Sequence, residues 1–265
     1  MSAQSNRLQQ EWQAFWLALG FLTRIPMLVK IDYSQRLMNQ SSVYFPLVGL
    51  ILGALYAALF SITELVWSPL AGILLVISFH LWITGAFHED GLADSVDALG
   101  GGYTVTKKLE IMKDSRIGTY GTVALIMALG LKAAFLLDTQ HTWLALLVAP
   151  AISRLTPLLL MGFLPYVTDP DKSKSKPVAD GFCHQRLTWA GGFVLLLTLM
   201  AALPVRGLLP CALFATLIVA LGWGLYLKKQ LGGYTGDALG ASVVLSELAL
   251  LAGISALNPA SLALP

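Results

Sequence analysis

The chain has 265 residues, 56% hydrophobic and only 12% charged, with mean hydropathy +0.71. A soluble domain carries about 25% charge, so a water-soluble globule is excluded, and a net charge of +2 leaves no nucleic-acid footprint. The two cysteines, Cys183 and Cys211, lack ligand-type spacing and read as plain membrane-protein thiols rather than a disulfide.

In chain order, Met1 to Gln10 is polar with one basic residue, Arg7, and lacks the apolar core and cleavage site of a secretory signal. Glu11 to Val29 is aromatic-rich (Trp12, Phe15, Trp16, Phe21) but carries Arg24 and then Pro26, so it reads as an interfacial or re-entrant helix in preference to an eighth span. Seven apolar runs follow, at about 43–67, 70–88, 119–137, 142–164, 188–205, 208–227 and 236–257. Each is long enough to cross a hydrocarbon core about 30 Å thick, and their continuity makes them helices. The expected fold is all-α: one polytopic integral membrane helical bundle over residues 1–265, with about seven transmembrane helices plus the N-terminal interfacial or re-entrant helix.

Basic residues orient the bundle. Twelve of them fall in the loops 30–42, 89–118, 165–187 and 228–235, against Arg206 alone in the intervening loops. By the positive-inside rule the four basic loops are cytoplasmic. The acids gather on the same face, which points to an active site open to the cytoplasm rather than a pathway through the bilayer.

The densest acidic segment is His88-Glu89-Asp90-Gly91-Leu92-Ala93-Asp94-Ser95-Val96-Asp97, directly after the run 70–88. Asp90, Asp94 and Asp97 share one helix face. Stacked like charges repel there, and a divalent cation would offset them; all-oxygen ligands suit Mg²⁺, Mn²⁺ or Ca²⁺ better than zinc. The bland reading, a solvated helix face, does not explain four acids beside a span end and a glycine.

A second segment, Lys113-Asp114-Ser115-Arg116-Ile117-Gly118-Thr119-Tyr120-Gly121, combines a phosphate-gripping arginine with an acid that could complete a metal shell and two glycines three apart. An ordinary basic flank explains Lys113 and Arg116 but not Asp114. A third, Gly232-Gly233-Tyr234-Thr235-Gly236-Asp237-Ala238-Leu239-Gly240, enters a helix whose N-terminus suits an anion; its bland reading is a turn and a small-residue packing face. The run Lys172 to Lys176 is a solvated loop or a flap over substrate phosphate. Arg154 and Glu247 lie deep in spans, with Lys132 nearer a span end. An Arg154–Glu247 ion pair is expected, with substrate contact by Arg154 as the alternative, and His80 reads as an interhelical hydrogen bonder.

Together these segments resemble the adenosylcobinamide-GDP ribazoletransferase (cobalamin synthase) family. The pattern His88-x-Asp90-Gly91-x-x-Asp94-x-x-Asp97 is similar to the family's central signature, and Glu89 falls outside it. Lys113 to Gly118, Gly233 to Asp237, Phe21-Leu22-Thr23-Arg24-Ile25-Pro26 and Tyr44-Phe45-Pro46-Leu47-Val48-Gly49 resemble four further blocks, in order along essentially the whole chain. The resemblance implies a Mg²⁺-dependent enzyme of the bacterial inner membrane. Its reaction joins adenosylcobinamide-GDP to α-ribazole or its 5′-phosphate, forms adenosylcobalamin or its 5′-phosphate, and releases GMP.

On that reading Asp90, Asp94 and Asp97 hold one or two Mg²⁺, with Asp114 and Asp237 as further ligands or supports. His88 or an aspartate is the general base. Arg116 joins His88 and the acids as a catalytic candidate, gripping diphosphate oxygens; Arg24, Lys113, Arg154, Thr235 and Gly236 are candidate substrate contacts. The partners are these small molecules and the lipid bilayer, with no nucleic acid, and a homo-oligomer stays open. The nearest rival is a CDP-alcohol phosphotransferase making phospholipid, but Asp94 stands where that signature needs Arg, and no later Asp-x-x-x-Asp occurs. A cation transporter would need acids at the midplane and broken spans in repeated halves.

Overall fold

The computed structural model describes residues 2–167, 184–205 and 207–257. These residues fold as helices, with one isolated parallel bridge, Tyr166 to Tyr234, as their only extended pairing. The amphiphilic segment at the start is a single helix, α1 (Ser2–Leu22), followed by the short α2 (Gln35–Ser41) and then α3 (Phe45–Thr63). Glu11 of α1 holds this corner: it pairs with Arg186 at 2.6 Å and accepts from Tyr44 Oη at 2.9 Å.

Pro46 opens α3, where its missing N–H costs nothing. Along α3, Gly49 and Gly53 lie so close to α8 (Thr142–Ser153) that a Cβ would fall 2.3 Å from Pro150 O and 2.1 Å from Leu147 O. Small residues let two backbones approach where water gives no drive for association. A break at Arg154 separates α8 from α9 (Leu155–Phe163), and Pro157 lacks the N–H that would have continued the ladder. Together α8 and α9 form the central span, 83% buried over its most apolar stretch, against 28% for α7 (Thr119–Asp138) and for α11 (Leu208–Leu231), which face lipid.

The elbow after α4 (Pro69–Thr84) positions the site. Ser68 caps α4, and the helix ends at Gly85 with φ 69°, followed by Ala86 with φ 55°. Two consecutive left-handed residues turn the chain by 86° into α5 (Phe87–Gly101). The expected continuous run 70–88 therefore stops at Thr84, and the acidic segment becomes a separate helix. It packs across α12 (Gly236–Ala256), with α6 (Val105–Ile111) leading from it toward α7.

The chain is a multi-pass helical membrane protein, as expected, and the spans can be compared with the seven apolar runs by length and hydropathy. Among the described residues five helices qualify, or six if α4 and α5 count as one bent span. The run 188–205 forms α10 (His184–Ala201), and neither α10 nor α1 is among the qualifying helices.

Candidate active site

Two glycines set the crossing of α5 and α12. A Cβ on Gly91 would lie 2.6 Å from the carbonyl oxygen of Asp237, and one on Gly240 would lie 3.5 Å from the Cα atoms of His88 and Gly91. This approach brings Asp90 and Asp237 close enough for their like charges to repel.

The start of α12 is held from three sides. Thr235 caps it, its Oγ1 accepting from Ala238 N at 3.1 Å. Trp223 Nε1 donates to Ala238 O at 2.9 Å. Tyr234 N donates to Pro165 O at 2.9 Å, and Val167 N donates to Tyr234 O at 3.0 Å. A Cβ on Gly233 would sit 2.0 Å from Pro165 O, so this contact admits only glycine. The positive end of the α12 dipole is thereby aimed beside the two aspartates.

Here the helices line a partly open cavity of about 90 Å³. His88, Asp90, Arg154, Gly236 and Asp237 supply its polar lining, and Phe21, Phe45, Phe87, Tyr166 and Tyr234 its aromatic walls. Asp90 is exposed at the mouth and Arg154, 2% exposed, lies on the buried side. Asp94, half-buried, follows one turn after Asp90 on α5.

The other candidates lie elsewhere. Arg24 is exposed at the α4–α5 elbow, where its backbone N–H donates to Ile83 O at 2.7 Å and its Nε lies 2.7 Å from where a Cβ on Gly85 would be. Asp97 is not among the cavity's lining groups: Oδ2 accepts from Gly118 N at 2.6 Å and Oδ1 from Gly121 N at 2.8 Å, so it caps the start of α7. The two glycines of that segment have a steric reason, since a Cβ on either would fall 2.4 Å from an Asp97 oxygen.

Asp114 and Arg116 grip each other in the open, with Nε 3.0 Å and Nη2 2.6 Å from the carboxylate. The guanidinium holds the Asp114 carboxyl down at about 2. Lys113 beside them is exposed. The five aspartates read as a metal set are thus divided three ways, and among the described residues no three His, Cys, Asp or Glu side chains are arranged to hold a metal.

The Arg154–Glu247 pair is corrected. Glu247 is taken by Lys132 at 3.0 Å, across α7 and α12. Arg154 instead donates Nη1 to Pro150 O at 2.7 Å and lines the cavity, while its Nε and Nη2 are buried without a partner. His80 does bond between helices: Tyr56 Oη lies 2.8 Å from Nδ1 and Glu89 Oε1 2.9 Å from Nε2. In the neutral tautomer Nε2 donates to Glu89 and Nδ1 accepts from Tyr56. Glu89 is therefore a buried anchor of α5 on α4. The aromatic walls were not anticipated, because they converge from five separate segments. The Lys172–Lys176 run and Cys183 lie outside the described residues.

A family model described as Cobalamin-5-phosphate synthase matches residues 14–255. Curated relatives named adenosylcobinamide-GDP ribazoletransferase include one from Vibrio parahaemolyticus, 40% identical with 93% of each chain covered. One from Shewanella pealeana is 44% identical, covering 91% of this chain and 93% of its own. One from Vibrio cholerae is 43% identical, covering 91% and 92%. No solved structure matches. With nearly the whole chain matched by the family model and by relatives at 40–44% identity, the chain belongs to the cobalamin-5-phosphate synthase family.

Proposed function

We propose that the α5–α12 cavity is where this chain carries out its reaction, the joining of adenosylcobinamide-GDP to α-ribazole or α-ribazole 5′-phosphate with release of GMP. The chain is an adenosylcobinamide-GDP ribazoletransferase, an enzyme of cobalamin synthesis. The observation that carries the siting is that the early block (Phe21, Leu22), the central signature (His88, Asp90) and the late block (Gly236, Asp237) line one cavity although they are far apart in sequence. The phospholipid-synthase alternative is not favoured.

The displacement requires the ribose 3′-hydroxyl to attack the phosphorus on the corrinoid side chain in line with the departing GMP. His88, within the lining, is the group we assign to take the hydroxyl proton. The α12 N-terminus and Gly236 present backbone N–H groups to phosphate oxygens. The aromatic walls offer stacking faces to a base and exclude water from the reacting centre.

The donors present fit Mg²⁺. Asp90 and Asp237 are hard oxygen ligands that repel each other, and among the described residues neither pairs with a basic side chain. Asp90 and Asp237 would hold the ion together with substrate oxygens, with Asp94 one turn away, since no three described acidic side chains form a ligand set by themselves; bound there it would neutralise charge on diphosphate oxygens. Asp97, committed to α7, and Asp114, committed to Arg116, we assign to support. We further propose that this face is cytoplasmic and the membrane the bacterial inner one.

The test is to incubate the detergent-solubilised protein with adenosylcobinamide-GDP, α-ribazole 5′-phosphate and Mg²⁺. GMP and cobamide are expected in equal amounts, lost with EDTA and restored by Mg²⁺. Absence of product from folded protein overturns the siting and the reaction together; product insensitive to EDTA overturns the metal assignment alone.

A further inference from the structure

Arg154 is the largest side chain among the fully buried ones, and it is charged. Isolated buried charges are strongly unfavourable unless paired and hydrogen-bonded. The guanidinium has five N–H donors, yet among the described residues it makes one hydrogen bond, from Nη1 to the Pro150 carbonyl at 2.7 Å; Nε and Nη2 are buried with no partner. The two acids whose charges reach it are each bonded to another base, Glu89 through Oε1 only. Glu247 is held by Lys132 at 3.0 Å and Glu89 by His80 at 2.9 Å.

The position is also fixed. Arg154 occupies the break between α8 and α9 in the most buried span, with Pro157 three residues on, and it lines the cavity with His88, Asp90 and Asp237. A positive group with two open donors on the cavity's buried side complements an anion that enters from outside. Arginine's planar fork suits a phosphate in particular.

We propose that Arg154 is a phosphate-binding residue, engaging a substrate phosphate through Nε and Nη2 on the buried side of the cavity. This inference rests on the transferase reading for the identity of the substrate. The phosphate comes either from the 5′-phosphate of the acceptor or from the diphosphate of the donor; the chemistry of recognition is the same.

The experiment compares wild type with Arg154→Gln and Arg154→Lys in detergent. The first readout needs no turnover: inorganic phosphate is expected to raise the thermal denaturation midpoint of wild type and to leave Arg154→Gln unmoved. The second is steady-state kinetics with α-ribazole and α-ribazole 5′-phosphate. If the acceptor phosphate is bound, KM for α-ribazole 5′-phosphate rises by about a hundredfold in Arg154→Gln while KM for α-ribazole holds, as expected for losing hydrogen bonds to a charged group. If the donor diphosphate is bound, KM for adenosylcobinamide-GDP rises with either acceptor. Arg154→Lys, which keeps the charge but not the fork, falls between.

A structural arginine would instead lower the midpoint of the ligand-free protein and leave every KM unchanged, and that result overturns the proposal. Should both variants fail to fold, wild type decides alone: failure of inorganic phosphate to stabilise it or to compete with a substrate overturns the proposal. Phosphate stabilisation through Arg154 in a wild type without transferase activity would sink the transferase reading and keep the anion site.

Discussion

The molecule carries two sets of signature charges, and they are treated in opposite ways. Around the α5–α12 crossing, Asp90 and Asp237 repel each other and Arg154 is buried with open donors. In α6 and the stretch from it to α7, Lys107 pairs with Glu110, and Asp114 and Arg116 satisfy each other in the open. Folding removes uncompensated charge wherever it is free to do so. Charge left uncompensated in a packed cavity therefore marks what a ligand completes, whereas a self-paired exposed charge has to exchange its partner before it can grip anything.

The sharpest way to break this contrast is at the crossing. Asp90→Asn or Asp237→Asn is expected to lower turnover by about a thousandfold, the loss of several kcal/mol of charge stabilisation, with the helical circular dichroism unchanged. Turnover within a few-fold of wild type at saturating Mg²⁺ would remove that aspartate from the site.

Gly91→Ala comes next. Its Cβ would press on the Asp237 carbonyl, a backbone atom that cannot swing away. A displaced α12 should cost about a hundredfold in kcat/KM, and about 1–3 kcal/mol of stability as overpacking does; a wild-type kcat/KM would show that the crossing distance is not critical.

Asp97 joins the two regions, since it leaves α5 to accept from the first turn of α7. Asp97→Asn should lower stability by about 1–2 kcal/mol, in the range for a lost helix cap, with kcat falling much less than in Asp90→Asn. An equal loss of kcat in a stable protein would return Asp97 to the chemistry.

Asp114→Asn is expected to do least. It releases Arg116, and KM for adenosylcobinamide-GDP should move by less than about threefold, as for exposed pairs generally. Because Arg116 holds Asp114 below its ordinary carboxylate range, the pair is intact above that range and is lost only as pH falls toward about 2. No step in the activity profile between about pH 6 and 9 should come from Asp114; one that disappears in Asp114→Asn would contradict this.

Much of this was legible in the sequence. Asp90 and Asp237 were visible because acids are rare in so apolar a chain, and glycines at 91 and 240 are what a close helix crossing needs. The elbow was half legible: Gly85 is a familiar helix stop, but Ala86 at positive φ has no sequence signal, since a left-handed alanine exists only where surrounding contacts impose it. Asp97 was misleading because its helix face matches that of Asp90 while its partners lie more than twenty residues away. Arg154 was recognised as an oddity, but which base would claim Glu247 depends on helix rotation, which hydropathy does not report.

The elbow also has a consequence for the lipid. With 16 residues, α4 is about 24 Å long, short of a hydrocarbon core of about 30 Å. Mismatch of this sign is met by local thinning of the bilayer. Where the bilayer thins around α4, the headgroup plane dips toward the acidic helix that the elbow launches. Membrane thickness becomes a variable of the reaction: turnover in bilayers of shorter-chain phosphatidylcholine should exceed that in longer-chain ones, and equal rates would mean that the cavity mouth opens to water without the lipid's help.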